Sequence, residues 1–126
     1  MDNNNEKKLS IRPILKNMPL KYFSDEEAFQ NKTLRPILKL QNELLLKLFF
    51  EQLSKLRINW EDLSVVQKKS VLNNLFKTDI SFKNALTYII AGQFTIDEFD
   101  CFLENPKIFS KRICQMAKQR IESQVN

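Results

Sequence analysis

TLRPILKLQNELLLKLFFEQLSKL, residues 33–56, decides the fold. At about 100° per residue, Leu34, Ile37, Leu38, Leu44, Leu45, Leu48, Phe49 and Leu56 fall on one broad face. Leu46, Phe50 and Leu53 widen it, and Lys39, Glu43, Lys47 and Ser54 leave only a narrow polar strip. Thr33 is placed to cap this helix. Pro36 then falls in the first turn, where a missing N–H costs little. The pattern predicts a helix about 33 Å long with other helices packed around it.

Working outward, each neighbouring segment opens on its own cap. Ser24 before Asp25, Glu26 and Glu27 starts a short helix to about Asn31, with the acids at the positive end of its dipole. Ser64 and Gln67 form a capping box for a helix to about Lys77, with Val65, Val66, Leu72, Leu75 and Phe76 facing inward. Asp79 caps the next, which buries Phe82, Leu86, Ile89 and Ile90 and ends on Gly92 as a left-handed C-cap. Thr95 and Glu98 box a helix to Glu104. Asn105–Pro106 opens the last, to about Ser123, with Phe109, Ile113, Met116 and Ala117 inward. The segment 57–63 connects two of these, with Trp60 as its anchor. The expectation is an all-α bundle of five to six helices over residues 24–126, around the central helix, preceded by an irregular basic arm over residues 1–23.

Composition agrees. With 126 residues the chain can bury one real core. One glycine and four prolines disfavour a turn-rich β fold. Two cysteines are too few for a disulfide framework. MDNNNEKK is polar and no apolar stretch suited to a signal or a membrane span follows, so the expectation is a cytoplasmic protein with reduced thiols. Net charge is +5 and uneven: residues 1–23 carry +3 and 105–126 carry +4, while 59–104 carry −3. Basic ends suit nucleic acid, an acidic protein face or the chain's own acidic middle.

Seven letters nearly repeat: SIRPILK at residues 10–16 and TLRPILK at 33–39. Each copy is expected to nucleate a helical turn, the first being stopped by Asn17, Met18 and Pro19. A solenoid is excluded because the surroundings of the copies differ. Either the first copy latches the arm onto the bundle, or Arg12 and Arg35 present two similar docking elements to a partner. The arm also carries Ile11, Ile14, Leu15, Met18, Leu20, Tyr22 and Phe23, so it should lie on a surface, its own core's or a partner's.

Catalytic chemistry is sparse. Without histidine the chain lacks the commonest general base and metal ligand. No phosphate-binding Gly-rich loop or nucleophile elbow is present, and two cysteines cannot complete a zinc site. Asp97, Asp100 and Glu104 share a helix face and form the best acidic constellation, a cation site or a solvated face. Cys101 and Cys114 flank the Pro106 turn, where antiparallel packing would bring them close as a redox pair or as two small buried hydrophobes. On the last helix Lys107, Lys111 and Lys118 project along one side, with Arg112 and Arg120 flanking. Such a stripe suits phosphates or a solvated basic face, and no helix-turn-helix or aromatic platform supports base reading.

FQNKTLRPILKLQNELLLKLFF (29–50) with AGQFTIDEF (91–99) resembles a small uncharacterised bacterial family whose members automated annotation often labels "glyoxalase". The resemblance covers most of the chain after Phe29, and its motifs are fold-like. The βαβββ glyoxalases need His and Glu metal ligands on a β-rich scaffold; this chain has no His and reads all-helical, so the activity in that label does not carry over and the family supplies no site residues.

The expectation is a non-catalytic adaptor docking onto a larger assembly, without cofactor or metal. A protein partner ranks ahead of RNA or a ribonucleoprotein. The candidate contact residues are Arg12, Ile14, Leu15, Lys16, Arg35, Lys107, Lys111 and Lys118. A metal-dependent enzyme or sensor built on Asp97, Asp100 and Glu104 is the other class. An arm lying on an anionic membrane ranks last, because two prolines interrupt its apolar stretch.

Overall fold

The computed structural model describes residues 3–19, 21–22 and 24–125. The expectations for Leu20 and Phe23 lie outside them. Every regular element among the described residues is helical. In chain order these are α1 (Asn3–Ser10), α2 (Asp25–Phe29), a π turn (Gln30–Leu34), α3 (Arg35–Leu40) and α4 (Asn42–Lys55). A 3-10 turn (Trp60–Asp62) leads to α5 (Val65–Thr78), α6 (Ile80–Ala91), α7 (Ile96–Glu104) and α8 (Pro106–Val125).

The core is built from stripes four residues apart. Leu45, Phe49 and Leu53 on α4, Phe82, Leu86 and Ile90 on α6, and Phe109, Ile113, Ala117 and Ile121 on α8 are all buried in one cluster. Rows of i, i+4 side chains form the ridges by which helices interlock. The stripe on α4 is narrower than its composition suggests. Leu44, Phe50 and Leu56 remain exposed, and so do Val65 and Val66 at the head of α5, contrary to the inward face expected for them.

The long central helix is divided at a different place from the one its caps suggest. The chain does not stop near Asn31; it runs helically from Asp25 to Leu40 through the π turn. Pro36 explains that turn. Its ring removes one donor and crowds the carbonyl four residues back, and the Arg35 N–H reaches Gln30 O, five residues back. Thr33 is therefore inside a helix and caps nothing. The real break is Gln41, at φ −93° and ψ 10°, whose side-chain amide donates to Ile89 O on α6 at 3.1 Å.

Most caps form as their residues dictate. Ser24 Oγ accepts from the Glu27 N–H, and Asp79 Oδ1 accepts from the Phe82 N–H. Ser64 with Gln67, and Thr95 with Glu98, make complete capping boxes. Gly92 is corrected: it stays right-handed (φ −61°), and Gln93 and Phe94 close the end of α6 by tight bonds to Ile90 O and Ala91 O. The left-handed stop is instead Arg57, φ 58°, after α4. There Ile58 N donates to Leu53 O and Arg57 N to Ser54 O, the paired bonds of a Schellman end.

Trp60 anchors the connection after α4. Its ring meets Phe49 edge-on at 5.3 Å, and its indole N–H donates to Val125 O at 3.2 Å. Trp60→Ala is expected to cost about 3–5 kcal/mol in urea unfolding. Trp60→Phe, which keeps the ring contact and loses the hydrogen bond, should cost only about 1–2 kcal/mol. Equal costs would mean that the ring contributes nothing beyond its N–H.

Candidate functional site

The arm packs on its own bundle. The first heptad copy does not open a helix. Ser10 closes α1, and Pro13, which has no N–H, begins an irregular run. This frees Arg12 to reach across the fold. Its Nη1 donates to Glu98 Oε2 at 2.8 Å and its Nη2 to Glu98 Oε1 at 2.6 Å, a two-pronged ion pair, with a further bond from Nη2 to Gln93 O at 2.8 Å. Lys8 Nζ donates to Phe94 O, and Asn5 Oδ1 accepts from the Ile96 N–H. Farther along the arm, Lys32 Nζ sits 5.1 Å over the Tyr22 ring and Arg35 Nη1 lies 3.3 Å from Met18 Sδ.

Glu98 is the acid that the sequence singled out only as a capping-box member. It accepts from the Thr95 N–H through the box, from Arg12, and from Thr33 Oγ1 at 3.0 Å. Burial alone would raise its carboxyl. The Arg12 hydrogen bond, the Thr95 amide, the Arg12 charge and the Thr33 hydroxyl together hold it below the ordinary value of 4.5. Asp97, Asp100 and Glu104 stay exposed around the same helix. They join no group of three His, Cys, Asp or Glu able to hold a metal among the described residues.

The cysteines are both free and line different depressions. Burial raises the thiol of each, and Glu104 and other nearby carboxylates add to the effect at Cys101. Cys114 Sγ lies 3.6 Å from Thr87 Oγ1 and 3.7 Å from Lys83 O.

Cys114 belongs to an open cavity of about 660 Å³. Three helices contribute one stripe each: Asn73, Phe76 and Lys77 from α5; Ile80, Lys83, Asn84 and Thr87 from α6; Ser110, Lys111, Cys114, Gln115 and Lys118 from α8. The floor is self-satisfied, because Thr87 Oγ1 donates to Lys83 O at 2.9 Å and Phe76 packs edge-on against Phe82. The rim is cationic, and none of its lysines has an ion-pair partner among the described residues. A second depression shares Asn73 and Lys77 with it and continues past Lys69 to the exposed Val65 and Val66.

The candidate contact residues are thus dispersed. Lys111 and Lys118 meet in the groove, and Lys107 lies outside its lining, exposed one turn earlier. Ile14, 96% exposed, and Lys16 project from the arm into solvent. Leu15 and Arg35 line another depression, with Arg120. The side chain of Arg12 is only 8% exposed and faces inward. The sequence reading missed Lys77, Lys83 and Ile80. Their helical spacing marked a face, but only the packing of α6 against α5 and α8 turns three faces into one groove.

No family model matches the chain, and neither a curated protein nor a solved structure does.

The depressed carboxyl of Glu98 sets a pH test. A group whose folded pKa lies below its unfolded value adds stability above the unfolded value and loses it as pH falls through the folded one. The urea midpoint of the natural chain should therefore exceed that of Glu98→Gln at pH 7 and pH 5 by the worth of about 1–3 kcal/mol, and the margin should shrink toward pH 3. A margin that does not vary with pH would show that the carboxylate charge is not what holds the arm.

Proposed function

We propose that this chain is a non-catalytic helical binding protein that docks onto a larger protein assembly through the groove between α5, α6 and α8. The observation that carries the reading is the pairing of an apolar floor with an unpaired lysine rim. Phe76 and Ile80 offer surface for aliphatic or aromatic anchors, while Lys77, Lys83, Lys111 and Lys118 surround them without a carboxylate in the lining. An acidic amphipathic segment of a partner protein satisfies both features at once: its apolar face is desolvated against the floor and its carboxylates meet the rim. Val65 and Val66, 77% and 79% exposed at the end of the adjoining depression, lengthen the apolar track along α5. Ile14 and Lys16 on the arm add a second exposed contact; Arg12, turned inward, does not.

RNA is the second reading, favoured by the same lysines taken as phosphate contacts. The two readings differ in salt response, since phosphate binding weakens steeply with salt while an apolar floor holds its partner.

Affinity capture from native lysate separates them when a groove variant runs beside the natural chain. A protein retained after nuclease and high-salt washing, and lost with Lys77→Glu/Lys111→Glu, is the expected result. Capture abolished by nuclease points to RNA, and capture equally strong with the variant moves the docking surface away from this groove.

A further inference from the structure

Both heptad copies set an arginine before a proline, and the two arginines have different partners. Arg12 has an anion, because Glu98 takes both prongs of its fork. Arg35 has none. Its Nη1 donates to Asn31 Oδ1 at 3.0 Å and approaches Met18 Sδ, both neutral acceptors. In the lining of the same depression, α8 supplies a second guanidinium, Arg120, whose Nη1 reaches another neutral acceptor, Asn42 Oδ1, at 3.3 Å. Burial lowers the pKa of Arg120. Neither arginine lies within 4.0 Å of a carboxylate among the described residues, and none lines the depression. A guanidinium drawn out of water without an anion is unfavourable. Arg120 is partly in that position, and it shares with Arg35 the border of one open depression of about 630 Å³.

We infer that this cavity, between the arm, α3 and α8, is a binding site for a small organic anion. Its carboxylate or phosphate head would sit between Arg35 and Arg120, and its apolar body against Leu15, Leu38 and Met116. The planar fork of arginine matches the paired oxygens of both head groups. The depression is open and larger than a bare ion needs, which leaves room for an organic body beside the head group. One wall comes from the arm through Leu15, so the site is complete only with the arm seated.

Calorimetric titration of the full chain with phenyl phosphate, benzoate and phenol tests this. Phenyl phosphate or benzoate should bind saturably, the tighter of the two identifying the head group, while phenol, the uncharged ring, should not bind. Arg120→Gln should weaken binding about tenfold or more, and Arg120→Lys, which keeps the charge without the fork, by less. Arg35→Gln should act in the same direction, and Arg120→Gln, whose hydrogen bond goes to Asn42 on α4 and not to the arm, guards against a loss caused by the arm coming loose. Lys77→Glu/Lys111→Glu should bind as the natural chain does, which keeps this site separate from the α5–α6–α8 groove. The inference is overturned if neither anion binds by about 10 mM, if binding survives Arg120→Gln undiminished, or if it is lost with the groove variant.

Discussion

Two oxygens of Glu98 take hydrogen bonds from Arg12 on the arm, from Thr33 in the π turn and from the Thr95 amide at the head of α7. Segments up to 86 residues apart in sequence therefore meet at one carboxylate. A charge this far out of water is tolerable only when its lone pairs are filled and a counter-charge is close, and both conditions hold here. The arrangement has a cost on the other side: Arg12 Nε is buried without an acceptor. The two-pronged bond and the contact to Gln93 O offset it.

This constraint takes Arg12 out of a partner's reach. The arm looks like a basic tail available to nucleic acid or an acidic surface, yet Lys8 and Arg12 are engaged with the α6–α7 connection, which leaves Lys7, Lys16 and Lys21 exposed. Positive charge without an ion-pair partner among the described residues also gathers on the α5–α6–α8 side, around Phe76 and Ile80. It also collects at Arg35 and Arg120, where the apolar neighbours are Leu15, Leu38 and Met116. The two sites differ in chemistry. Flexible ammonium groups around an apolar floor suit a peptide face, and two forked guanidiniums bordering one depression suit a discrete anionic head group.

Most of the helical framework was legible from the sequence, because its signals are local. Ser64 with Gln67, Thr95 with Glu98, and Asp79 each find their partners within three residues, so the sequence carries the whole interaction. The misreadings came where local and distant demands compete. Pro36 resembles a helix start, but the apolar spacing from Phe29 through Leu34 to Leu38 continues across it, and burial of those residues keeps the helix running through a wide turn. Arg57 holds the left-handed position that Gly92 seemed made for; the bonds from Ile58 and Arg57 back into α4 outweigh the backbone strain of a non-glycine residue there. Of the site, the lysine stripe on α8 was readable and the groove was not, since α5 and α6 contribute more than half of its lining. The heptad's meaning lay in partners 17 and 86 residues away.

No helix among the described residues is long and apolar enough to cross a membrane. Ile14, Val65 and Val66 are the most exposed of the large hydrophobic residues among those described.

The most direct measurement is a double-mutant cycle between Arg12 and Glu98, using Arg12→Ala, Glu98→Ala and the pair, in urea at neutral pH. If one carboxylate ties the arm to the bundle, the two losses should be strongly non-additive, with a coupling of about 1–3 kcal/mol. Simple additivity, with the pair costing the sum of the two, would contradict the account and return the arm's cations to solvent.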